Sequence, residues 1–206
     1  MRLEHPAVVR LSHWAAAIAV VVLVMSGLEI FAAFPSFGSK VPQRDLLALP
    51  EAVRLGGWLG GALQWHMTFA ALLVAIGSIY AVYQAGSGNY RQVLFAGRDV
   101  PGLRPMVRHY LLRGPKPTEG GTYNPLQKLA YTAVLGLGVV LAVTGAALYK
   151  PVQFAWLVTI LGGFRLVRIW HFAAMCALLA FIPGHLLMVG LHGWRNFASM
   201  WVGFRD

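Results

Sequence analysis

Four long, almost uncharged apolar runs constrain this 206-residue chain more than any other feature. They lie at about 11–31 (LSHWAAAIAVVVLVMSGLEIF), 62–84 (ALQWHMTFAALLVAIGSIYAVYQ), 128–149 (KLAYTAVLGLGVVLAVTGAALY) and 167–191 (VRIWHFAAMCALLAFIPGHLLMVGL). A helix of about 20 apolar residues crosses the ~30 Å hydrocarbon layer, so each run predicts a membrane span. The expected fold is an all-α membrane protein, a four-helix transmembrane bundle forming one domain over 1–206. Composition closes the other routes. With 58% hydrophobic and 12% charged residues, the chain is far from the roughly one-quarter charge of soluble domains, and too apolar for disorder. The net charge of +10 could suggest nucleic acid. In a chain this apolar, basic residues between spans point to anionic membrane lipid instead.

Four spans place both termini on one side. Eleven of the 17 Lys and Arg residues fall on the side holding the termini and the 85–127 loop, which predicts a cytoplasmic location for all three. That basic loop carries Pro and Gly turns and one amphipathic helix around Pro105–Arg113. Pro183-Gly184 predicts a local kink in the last span. Residues 152–164 are too short and Gly-broken to cross, and read as an interfacial or re-entrant turn. A signal-peptide reading of the first run is disfavoured by its length and by the lack of a small-x-small site after it. No internal repeat is evident.

Of seven histidines, His13, His66, His171 and His185 lie inside predicted spans and His192 at a span end; His5 and His109 read as loop residues. An ionisable side chain within the bilayer is a functional-site hypothesis, although one alone could serve as an interhelical hydrogen-bond partner. His171 and His185 are 14 residues apart, about 3.9 helical turns and ~21 Å along one face. The topology puts His66 and His171 near the outer surface, and His13 and His185 near the inner one. Spacing and depth thus give the same two level pairs. Facing imidazoles in a helical bundle suit a planar iron porphyrin with two axial ligands. The lone Cys176 leaves no C-x-x-C-H attachment motif, disulfide framework or Cys-rich cluster. Zinc would require more ligands, and a proton relay would require acids, yet Glu29 is the only acid in any span.

Other residues have two readings. Gly27, 14 after His13, and Gly77, 11 after His66, either let the other haem approach the backbone or serve close helix packing. Arg10 and Arg168, three residues before His13 and His171, either pair with haem propionates or snorkel to the interface. Aromatic belts account for Trp14, Trp65 and Trp170. His192 shares a face with His185 and could reach a propionate.

RLSHW at 10–14, YNPLQKLAY at 123–131, TG at 144–145 and HFAAMCALLAFIPGHLLMV at 171–189 together resemble the bacterial di-haem cytochrome b family over essentially the whole chain. That family includes the cytochrome b-561 type and the membrane subunits of formate dehydrogenase, NiFe hydrogenase and thiosulfate reductase. The resemblance implies two haem b stacked across the bilayer, with His13, His66, His171 and His185 as axial ligands. It implies a quinone (menaquinone or ubiquinone) as substrate, with Asn124 first and Gln127 and Lys128 behind it as quinone contacts. It implies a multi-pass protein of the bacterial inner membrane, partnered by a periplasmic redox subunit of molybdopterin or hydrogenase type. Residues 32–61 and the third connection would form its docking surface. Some family members carry an extra C-terminal cytoplasmic helix or tail, which this sequence is expected to lack.

Two six-coordinate irons would carry electrons without catalysis at the metal. The leading expectation is therefore an electron-transfer subunit linking the quinone pool to its partner. A stand-alone quinone-linked cytochrome, oxidising superoxide for example, is the alternative, and a haem-free scaffold a remote one.

Overall fold

The computed structural model describes residues 2–3, 5–33, 35, 49–112, 114–115, 123–191 and 193–205. Four helices are long and apolar enough to cross a membrane: α1 (Ala7–Ala33), α2 (Leu59–Ser87), α5 (Pro125–Tyr149) and α7 (Phe164–Leu191). Each begins three or four residues before its expected start, because the flanking residues complete the first turn. Between them lie α3 (Tyr90–Val93), α4 (Val100–Leu112) and α6 (Ala155–Ile160), and α8 (Trp194–Val202) follows α7. Two-residue strands β1 (Arg2–Leu3) and β2 (Phe204–Arg205) pair antiparallel and bring the chain ends together. Theirs is the terminal end of the bundle, and the opposite one is the far end.

The bundle is built from two close antiparallel pairs, α1 with α2 and α5 with α7. Small residues allow this approach: Ala19, Ser26, Ala62, Thr144, Ala147 and Ala174 are all buried. Contact between the pairs is made by side chains, including the Phe31 and Phe172 rings with centroids 5.0 Å apart. The faces turned outward are apolar and exposed, as at Val82 and Val139, which suits lipid. Trp65 and Trp170 are likewise exposed, as an aromatic belt requires. The helix α7 runs on through Pro183-Gly184 without interruption. The 152–164 segment forms a turn and α6, and Gly162 and Gly163, both at positive φ (89° and 94°), reverse the chain into α7.

The 85–127 loop is more ordered than a series of turns. Its amphipathic helix α4 begins at Val100 rather than Pro105, and the loop is strapped to the start of α5. Lys128 Nζ meets Asp99 Oδ1 at 2.8 Å, and the Phe95 amide donates to Thr132 Oγ1 at 2.8 Å, one turn on. A Cβ on Gly102 would stand 2.6 Å from Pro125 Cγ, so α4 lies against that same corner. The hydrogen bond from Lys128, with a second from the Ala96 amide, holds the Asp99 carboxyl below its ordinary range. The strap therefore contributes fully above the pKa of an unfolded aspartate and is lost as pH falls through the lowered value.

One expectation fails at the C-terminus. The chain does carry a short amphipathic helix there, α8, bounded by Gly193 and Gly203. It lies on the terminal end of α1. The Trp14 and Trp201 rings stack at 4.2 Å, and the Trp14 indole N–H donates to the Met200 carbonyl at 3.1 Å. Trp14 is thus a packing residue for α8 rather than part of a lipid-facing belt.

Candidate functional site: two facing histidine pairs

His13 on α1 faces His185 on α7 with ring centroids 6.2 Å apart. His66 on α2 faces His171 on α7 at 6.3 Å. A metal–imidazole bond is about 2.0 Å; adding roughly 1.1 Å from nitrogen to ring centre on each side gives about 6.2 Å. Both pairs are therefore spaced as two imidazoles on one metal would be. Among the described residues no group of three or more His, Cys, Asp or Glu comes together, so the donor set is two imidazoles and nothing else. That set suits an iron porphyrin, whose ring supplies the remaining ligands.

The far pair is held in a matched way on its two sides. His66 Nδ1 lies 3.1 Å from both Ser26 Oγ and the Leu23 carbonyl of α1. His171 Nδ1 lies 2.8 Å from Thr144 Oγ1 of α5. A carbonyl only accepts, so His66 Nδ1 carries the proton and its Nε2 keeps the lone pair. Each hydroxyl donates to a carbonyl four residues back, Ser26 to Val22 and Thr144 to Val140, both at 2.6 Å. Each is thus left to accept from the imidazole. Glycines complete the cradles. A Cβ on Gly27 would stand 3.2 Å from His66 Cε1, and one on Gly145 would stand 3.3 Å from His171 Cε1.

The terminal pair is held differently. His185 stacks on Phe181 at 5.5 Å, and His13 sits edge-on to Trp14 at 5.1 Å. Among the described residues, His13 Nδ1 is buried without a hydrogen-bond partner.

The other sequence candidates divide. Gly27 does lie at the level of the far pair, but what it admits is the His66 ring. A Cβ on Gly77 would meet no atom within 4 Å, so this glycine lies beside open space. Arg10 donates through Nη1 to the Trp201 carbonyl at the end of α8, while its Nε is buried and unpartnered among the described residues. Arg168 is half-buried one turn before His171. Asn124, buried, is the N-cap of α5: its Oδ1 accepts from the Gln127 amide at 2.9 Å, and Gln127 Oε1 accepts from the Asn124 amide at 3.0 Å. Lys128 is taken by Asp99. His192, and residues 34 and 36–48 of the 32–61 segment, lie outside the described residues. His109 lies in the last turn of α4 rather than in irregular loop, and its Nδ1 bonds the Gly114 carbonyl at 2.8 Å.

Sequence reasoning missed Arg54, which reaches back from the connection after α1 to pair with Glu29 at 3.1 Å. Its Nε is also buried without a partner among the described residues. The signal was Glu29 itself, since a lone acid in a span needs a cation. Ser26 and Thr144 were missed as well, because mid-helix hydroxyls usually bond only their own backbone.

Comparison with known proteins follows the same lines. The sequence profile of the prokaryotic cytochrome b561 family matches residues 4–203. A relative from Azospira oryzae, named "Putative protein-methionine-sulfoxide reductase subunit YedZ1", is 38% identical over 91% of this chain and 90% of its own length. A "Probable Ni/Fe-hydrogenase B-type cytochrome subunit" from Cupriavidus necator is 27% identical over 88% of this chain and 76% of its own. One of the same name from Azotobacter vinelandii is 28% identical, covering 94% and 88%. With four membrane-length helices and a profile match over nearly its whole length, this chain belongs to the prokaryotic cytochrome b561 family.

Proposed function

We propose that this chain is the di-haem b, electron-carrying membrane subunit of a bacterial inner-membrane oxidoreductase, passing electrons between the quinone pool and a periplasmic partner. The observation that carries the reading is the spacing of the two imidazole pairs, 6.2 and 6.3 Å. Haem b bound there supplies one-electron redox chemistry. His66 and His171 would hold one group at the far end, and His13 and His185 the other at the terminal end. Arg54 and Arg10 keep buried Nε donors, unpartnered among the described residues and suited to propionate, and Arg168 joins them at the far end. The open space beside Gly77 suits the edge of a flat ring.

The distribution of Lys and Arg supports cytoplasmic termini, which makes the far end periplasmic and the docking side. The 38% identical relative is named as a methionine sulfoxide reductase subunit, and those near 28% as hydrogenase subunits. That order favours a sulfoxide-reductase type of partner over a hydrogenase type. A pyridine haemochrome assay on the purified protein is expected to give about two haem b per chain, and a chain without haem would end this reading. Co-purification of a periplasmic reductase separates a subunit from a stand-alone cytochrome.

The same reading puts quinone at the corner where Asn124, Gln127 and Lys128 meet the basic loop. Because Asn124 caps α5, Asn124→Ala would cost about 1 kcal/mol of helix stability and confuse the test. Asn124→Asp keeps the capping oxygen and removes the amide donor. It is expected to slow quinol-linked haem reduction severalfold with both haems retained. Unchanged kinetics would remove Asn124 from the quinone site.

A further inference from the structure

The Ser26–Gly27 step of α1 and the Thr144–Gly145 step of α5 perform the same task on the two ligands of the far pair. In each, the hydroxyl is polarised by donation into its own helix and sits within 3.1 or 2.8 Å of an imidazole Nδ1. In each, the next residue is a glycine that leaves room for the ring. Nothing equivalent serves His13, whose Nδ1 is buried and has no partner among the described residues. The asymmetry therefore lies between the ends of the bundle, not between the helix pairs.

A hydrogen bond accepted from Nδ1–H makes the imidazole a stronger donor through Nε2. A stronger donor favours the more highly charged, oxidised metal, and hydrogen bonding is one of the recognised levers on haem potential. Fixed charge pulls the same way. At the far end Arg54 is offset by Glu29 at 3.1 Å and Arg168 stands one turn before His171, whereas the terminal end carries Arg10 and the more numerous cations of the basic loop, which favour the reduced metal there.

We propose, resting on the di-haem reading, that Ser26 and Thr144 are positioning residues that set the potential of the far haem below that of the terminal haem. The two sites are then unequal by construction, and at equilibrium the terminal site is the more readily reduced.

The test is a potentiometric titration of the purified holoprotein, followed in the reduced α-band. It compares the natural sequence with Ser26→Ala, Thr144→Val and Thr144→Ser, with haem content measured in parallel. Two components are expected in the natural protein. Ser26→Ala and Thr144→Val should each shift only the lower one upward, raising its reduced-to-oxidised ratio at fixed ambient potential about three- to tenfold. Thr144→Ser, which restores the hydroxyl, should return it. Haem content should stay at about two per chain, so the shift cannot come from a lost ligand. A shift confined to the higher component, or no shift with both haems bound, would overturn the proposal and leave the di-haem reading intact. Fewer than two haems in the natural protein would instead overturn the reading on which it rests.

Discussion

Replacing His66 or His171 with alanine is expected to abolish one and the same haem, and replacing His13 or His185 to abolish the other. Haem content should fall from about two to about one per chain in all four variants. The reason is geometric. Rings 6.2–6.3 Å apart leave no room for a second partner on either side, and no other His, Cys, Asp or Glu cluster stands ready among the described residues to substitute. Even an outer-shell partner is worth about 10- to 100-fold in metal affinity, so losing a direct ligand should empty the site. Both ligands of the far pair approach along helices whose cradles lie elsewhere, on α1 and α5. The terminal pair should therefore stay loaded when the far pair is broken. Redox titration of the single-haem proteins identifies which component each pair holds. If His66→Ala removed the component that His13→Ala removes, the pairing across the bundle would be wrong.

The spans and the histidine pairs were legible because both are periodic. A membrane helix must be apolar for about 20 residues, and two ligands on one face must differ by near-whole turns, as His171 and His185 do. What surrounds the ligands was not legible from period alone. Ser26 and Thr144 look like ordinary small polar residues of a membrane helix until the partner helix sets an imidazole beside them. Gly27 was placed at the right height, but what fills the space beside it is His66. The resemblance drew Asn124 and Lys128 toward a quinone, while the local pattern also held a plainer use for them. Asn124, Pro125 and Gln127 spell a helix start with a reciprocal cap, and Lys128 needed an acid, which Asp99 supplies from 29 positions earlier. The segment Trp194–Val202 is amphipathic, but nine residues are too few to stand out in a sequence without the α1 aromatic surface on which they pack.

A bulky residue at Gly145 should have the largest effect of any change away from the ligands themselves. A Cβ there would stand 3.3 Å from His171 Cε1, which a small ring movement can accommodate, so Gly145→Ala should keep both haems and perturb the far one slightly. Gly145→Leu adds three more carbons where the imidazole lies. Helix α5 cannot retreat, because Thr144 and Ala147 are buried in its contact surface, so the ring must turn. Turning it breaks the bond to Thr144 Oγ1 and takes Nε2 out of line with His66. The expected result is loss of the far haem alone, about one haem remaining per chain, with the potential of the terminal haem unchanged. Gly27→Leu should do the same through His66, where the clearance is 3.2 Å. Gly136→Ala is the control. It lies on the opposite face of α5, nine residues before Gly145, with no atom within 4 Å of a Cβ, and gains about 1 kcal/mol of helix propensity. Two fully loaded haems in Gly145→Leu would mean that the His171 ring does not occupy the cradle, and that its place in the pair is not set by α5.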